Sequence, residues 1–197
     1  RFGSTPWTRV RRLIRIFFWA ATIIVGFVQV WSLRFHLTED GNNYLDIASA
    51  YLRADFANAI NAYWSPLYSW LIALALDVLH PSGYWESTLL HFLNFAGLLI
   101  GLRCFEFFFT AFLKLAGISE EADSDPALSE SSWWILGYGL FFSTMLFVIS
   151  LEPTTPDMWV CVATFAAMGI LLRIALNPIR IPYYLALGLV LGLGYLT

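Results

Sequence analysis

The sequence predicts an all-α, polytopic membrane protein with about five transmembrane helices and two juxtamembrane helices in its first outer loop. Three observations predict it. Of 197 residues, 59% are apolar, 18% aromatic and 13% charged, too little polar surface to coat a water-soluble globule of this size. Mean hydropathy is +0.67. The apolar residues fall into long blocks separated by short polar punctuation, and no strand pattern competes. These features exclude a soluble enzyme and a disordered tail. Net charge is -3, and most of the positive residues sit at the N-terminus and in one later turn, so no basic surface is offered to a polyanion and nucleic acid is dismissed as a partner.

Taken in order, Arg1, Arg9, Arg11, Arg12 and Arg15 form a basic flank around the start of the block Leu13 to Leu33, the pattern of a signal anchor with a cytoplasmic N-terminus. The first outer loop then runs over 35–84. In it Tyr44, Ile47, Ala48, Tyr51 and Leu52 recur at helical spacing, with Asp46, Ser49 and Arg53 on the other face, which predicts a helix over Asn43 to Arg53 lying flat in the interface. Pro66 to Leu79 follows Ser65 and stops at His80-Pro81-Ser82-Gly83. Charge decides whether this short block spans. If it does not, Lys114, Arg173 and Arg180 all face the cytoplasm, as the bias of Lys and Arg toward cytoplasmic loops requires. It is therefore expected to be non-spanning.

Further helices are expected near Trp85 to Leu113, from Trp133 to Leu151 and from Met158 to Leu176, with another starting at Tyr183. An acidic cytoplasmic loop, Lys114 to Ser132, joins the first two of these, and its Ser119 to Asp125 reads as solvated spacer. Arg103 and Glu106 read as a snorkelling ion pair, and Cys104 and Cys161 as small hydrophobes. The chain opens on Arg1, and its last apolar block ends without a cap, so 1–197 is expected to be the N-terminal part of one longer transmembrane domain.

Among the outer acids, Asp40 and Asp157 each stand where a helix begins, and two roles fit that placement. Each carboxylate is a cap favoured by the helix dipole, or one accepts a proton while the other positions it or holds a metal. His36, His80 and His91 lack the spacing of a metal site. No Ser-His-Asp or Cys-His arrangement is visible.

Glu39-Asp40-Gly41, Tyr44, Ala48, the stretch Tyr63-Trp64-Ser65-Pro66-Leu67-Tyr68 and Thr155-Pro156-Asp157 carry a resemblance. In their order and sidedness they resemble the N-terminal module of the C-type integral-membrane glycosyltransferases: protein O-mannosyltransferase-like, aminoarabinose-transferase-like and oligosaccharyltransferase-like enzymes. The order Glu39-Asp40 before Gly41 is closer to the oligosaccharide-transferring branch. The resemblance implies that Asp40 is the catalytic carboxylate of the first outer loop and Asp157 the second one. It also implies a polyprenyl-phosphate sugar donor, a site at the outer face of a bacterial inner membrane and, with the metal ligands unknown, a divalent cation as an open question.

Such chemistry needs a group that takes the proton of the attacking acceptor, the role expected of Asp40. It also needs a cation for the leaving phosphate, for which Arg34 and Arg53 are candidates beside their alternative as interface anchors. Glu39 and Tyr44 belong to the expected donor and acceptor contacts. Tyr63, Trp64 and Tyr68 are candidates for stacking on sugar faces, where the rival is an aromatic belt. Two other classes compete with the enzyme: a secondary transporter or channel component, and a non-catalytic membrane scaffold in which both Asp residues are caps.

Overall fold

A computed structural model describes residues 6–118 and 129–197, so the expected acidic spacer lies largely in 119–128, outside the described residues. The described chain is helical, with no strand. It forms α1 (Pro6–Leu33), α2 (Glu39–Leu52), the single turn α3 (Phe56–Ala59), α4 (Pro66–Leu79), α5 (Glu86–Leu115), α6 (Glu130–Ser143), α7 (Asp157–Leu176) and α8 (Ile181–Tyr195). A 3₁₀ turn, Gly83–Trp85, leads into α5, and a π-helical segment, Thr144–Ile149, continues α6.

Four helical stretches are long and apolar enough to cross a membrane: Arg9–Leu33, Gly83–Leu115, Glu130–Ile149 and Asp157–Leu176. Helix α8, expected as a fifth crossing, has 15 described residues, about 22 Å against the roughly 30 Å of hydrocarbon. Large apolar side chains line the outside of the bundle, Leu13 being 65% and Ile24 62% exposed, which fits lipid rather than water as the surrounding solvent. The protein is an integral membrane protein in contact with the bilayer.

Helices α1, α5, α6 and α7 share one core built on Leu98, Leu102, Phe105, Tyr138, Phe141 and Met158. Close approach of α7 to α5 depends on glycine: a Cβ on Gly169 would stand 2.4 Å from the Phe107 ring, and one on Gly97 3.2 Å from Met158. A second core joins α2 and α4 to the first turns of α5 through Tyr44, Ala48, Tyr68, Ile72 and Leu90.

The path between α1 and α5 decides the topology. Thr88 Oγ1 donates to the Arg34 carbonyl at 2.8 Å, and Ser87 Oγ donates to the carbonyls of Arg34 (2.9 Å) and His36 (3.1 Å). The chain that leaves α1 therefore re-enters α5 at the end it left, and α2 to α4 form an excursion confined to that end. Helix α4 packs there as expected for a non-spanning segment, and its first turn is bonded to the last turn of α8, Leu67 N donating to Leu196 O at 2.8 Å.

Helix α2 starts earlier than its apolar spacing predicts, at Glu39 instead of Asn43, because Thr38 caps it. On its apolar face Tyr44, Ile47 and Ala48 are buried against neighbouring helices and Leu52 is exposed. Helix α6 gives way to the π segment before Leu151, which leaves that residue in the following loop.

The opposite end holds an ion pair richer than the expected snorkelling couple. Glu106 is buried on α5 and accepts from Arg15 Nε (2.9 Å) and Nη2 (3.0 Å), Trp19 Nε1 (2.7 Å) and the Tyr138 hydroxyl (2.7 Å). Arg103, the partner expected from sequence, is the most distant of its donors at 3.3 Å. Glu106 thus clasps α1, α5 and α6 together.

Candidate active site

Asp40 and Asp157 come from opposite ends of the sequence, and one close contact brings their helices together. Thr38 is the N-cap of α2, its Oγ1 accepting from Gly41 N at 3.2 Å and lying 3.0 Å from Thr154 Oγ1. Gly41 makes this possible, since a Cβ there would fall 1.7 Å from Thr154 Oγ1. The first turn of α2 is therefore pressed onto the loop that opens α7.

Two buried polar residues of α5 shape that loop. The ring of His91 sits between two carbonyls, its Nδ1 2.9 Å from that of Leu151 and its Nε2 2.7 Å from that of His36. Asn94 Nδ2 donates to the carbonyls of Thr155 (3.0 Å) and Pro153 (3.3 Å). The loop begins at Ser150, whose φ of 61° and ψ of 169° lie in a region that a residue with a Cβ rarely occupies. Backbone strain next to a π segment is the kind of local cost that tertiary contacts sustain at functional sites.

Neither carboxylate is the cap of its helix. Thr38 has that role in α2, leaving Glu39 and Asp40 exposed in the first turn. Asp157 opens α7, and its Oδ2 accepts from Thr155 Oγ1 at 2.6 Å. Capping as the whole account of Asp40 is thereby excluded, although both acids still face the positive end of a helix dipole.

Both acids act on Tyr44. Its phenol is pushed up to about 12, first by burial and then by the negative charges of Asp40 and Asp157, with a smaller contribution from Tyr63. At neutral pH Tyr44 is therefore protonated. Its ring meets Trp64 edge to face at 4.8 Å and Tyr68 at 5.0 Å, while Tyr63, 83% exposed, packs on Trp64 at 4.9 Å. Tyr44, Trp64, Tyr68 and Tyr63 thus form one aromatic cluster.

Tyr68 is fully buried, and burial raises its phenol. The Asn94 amide is near enough to oppose that rise, yet neither Tyr68 Oη nor Asn94 Oδ1 completes a hydrogen bond of acceptable geometry. Trp159 Nε1, in contact with the same apolar cluster, is also unpartnered.

Two expected residues stand apart. Arg34 lies over the rings of Trp31 (4.7 Å) and Phe35 (4.6 Å) and donates to the Trp31 carbonyl, an anchor at the end of α1. Arg53 follows the last turn of α2, about 20 Å along the axis from Asp40. Among the described residues no three His, Cys, Asp or Glu side chains are grouped to hold a metal ion.

The contributions of Thr38, Thr154, His91 and Asn94 were not foreseen. The sequence signal for the last two is a His and an Asn one helical turn apart inside an apolar block; their partners are backbone carbonyls about 60 residues away, beyond the reach of any local pattern. No family model, curated protein or solved structure matches the chain.

Proposed function

We propose that the protein is a membrane glycosyltransferase that moves a sugar from a polyprenyl-phosphate donor to an acceptor at the membrane face bearing Asp40 and Asp157. In this proposal the N-terminal arginines are cytoplasmic and the membrane is a bacterial inner membrane. The observation that supports it is the seating of the first turn of α2 on the loop that opens α7, which brings together the helix starts carrying Asp40 and Asp157, with the rings of Tyr44, Trp64, Tyr68 and Tyr63 clustered at the same helix. The donor's tail stays in lipid and its anionic head at the surface, so a site at this end of the bundle matches both halves of the molecule. Asp40 takes the proton as the acceptor oxygen or nitrogen bonds to the anomeric carbon, and the bond from that carbon to phosphate breaks with its electron pair on the phosphate. Asp157, tied to Thr155, orients the acceptor, and the aromatic rings pack on the sugar.

A transporter would draw on an acid held inside the bundle, and Glu106 is the buried carboxylate among the described residues. Its oxygens are occupied by Arg15, Trp19 and Tyr138, an arrangement for holding helices rather than releasing a proton.

The test is sugar transfer from a polyprenyl-phosphate donor in membranes containing the protein. Asp40→Asn should lower the rate by roughly 10²-fold or more at unchanged expression, the usual scale for loss of a general base. Near-normal turnover by that variant, or no transfer by the unmodified protein with any polyprenyl-phosphate sugar, would defeat the proposal.

A further inference from the structure

At the Arg15 end the last turns of α5 and α7 and the first turn of α8 line an open cavity of about 290 Å³. Its polar lining is Lys114, Arg173, Arg180, Thr110, Asn177 and Tyr183, and no described residue of the lining is acidic. Lys114 and Arg173 each sit in a helix's last turn, where the negative end of the dipole favours a cation. Arg180 is different. It is the N-cap residue of α8, a helix start with no side-chain cap, so its charge adds to the positive end of the dipole. That placement is unfavourable alone and favourable once an anion occupies the cavity.

Arg173 is fixed for such a role. Its Nη1 donates to the carbonyls of Phe107 (2.7 Å) and Gly169 (3.0 Å), and its guanidinium lies over the Phe107 ring at 3.4 Å. The nearby Glu130 lines a neighbouring cavity that Lys114 also borders, and it is paired there with Arg11 at 3.5 Å. Three cations from three helix ends therefore share one cavity without a counter-charge among the described residues.

We infer that this cavity binds a phosphate-bearing anion at the level of the lipid headgroups. The inference does not depend on sugar transfer. It is tested on the purified protein in detergent, with phosphatidylglycerol and phosphatidylcholine supplied equally and bound lipid read by native mass spectrometry. Phosphatidylglycerol should be retained preferentially. Lys114→Gln and Arg180→Gln, both at exposed positions, should each lower that preference about fivefold, the equivalent of about 1 kcal/mol per basic side chain near a lipid surface. Arg180→Lys should restore most of it, and Arg12→Gln, an equal charge loss on α1 at the same end, should leave it unchanged. Competing inorganic phosphate separates the sources: displacement of the lipid assigns the site to a free phosphate, and its persistence assigns it to a lipid headgroup. Equal retention of the two lipids, or the same loss from Arg12→Gln as from Arg180→Gln, would overturn the site.

Discussion

Thr38 and Asp40 stand two residues apart, and the fold divides helix capping from acidity between them. Removing the cap acceptor with Thr38→Ala should cost about 1 kcal/mol, whereas Asp40→Asn should change stability by well under that, as thermal unfolding in detergent would record. Equal losses would return Asp40 to a capping role. Gly41→Ala is expected to be worse than either, because its new methyl meets Thr154 at 1.7 Å and α2 must move away from the α7 loop. We expect a loss of about 2 kcal/mol, within the range for overpacked sites, together with reduced transfer. Tyr44 supplies a pH dependence. Its folded value of about 12 exceeds the ordinary 10.0, so between these values the unfolded chain releases a proton that the folded chain keeps. Stability must then fall as pH rises through that window, with no contribution below it. Tyr44→Phe should flatten this part of an alkaline unfolding profile.

Among the helices, the clasp at Glu106 is the principal polar tie, reaching α1 through Arg15 and Trp19 and α6 through Tyr138. Glu106→Gln preserves shape but leaves Arg15 without its counter-charge. Arg15 is half exposed, so the loss should fall below the usual range for broken buried pairs, at about 2 kcal/mol, with looser association of α1. Glu130→Gln is the contrast. It breaks a looser pair at 3.5 Å to a half-exposed Arg11 and should cost about 0.5 kcal/mol. Comparable melting shifts for the two variants would mean that Glu106 carries no special share. The same reasoning explains the glycines between α5 and α7, where contact between helices in lipid depends on close packing because water supplies no driving force.

Across the whole molecule, the polar layer at Ser87 and Arg34 and the polar layer at Glu106 are separated by about 28 Å along α5, close to the thickness of the hydrocarbon core. Asp40 and Asp157 belong to the first end, Arg173 and Arg180 to the second. Single cysteines at positions 157 and 180, introduced after replacing Cys104 and Cys161, should therefore react with an impermeant reagent from opposite sides of the membrane. Labelling of both from one side would reject the topology.

Sequence by itself determined the helices and the end of the bundle at which each begins, because hydropathy, prolines and the Lys and Arg bias are local and repeat over every span. It singled out Asp40, Asp157 and the aromatic residues near Tyr63 from their order along the chain. Only the tertiary structure decided that Thr38 is the cap, that Gly41 seats α2 on Thr154, and that Glu106 belongs to Arg15 more than to Arg103. Those relations join residues as far apart as 116 positions for Thr38 with Thr154 and 91 for Arg15 with Glu106. The physical reason is that a buried polar group is satisfied by whatever donor or acceptor packing brings within 3 Å or so, and packing of whole helices is not written in any short stretch of sequence.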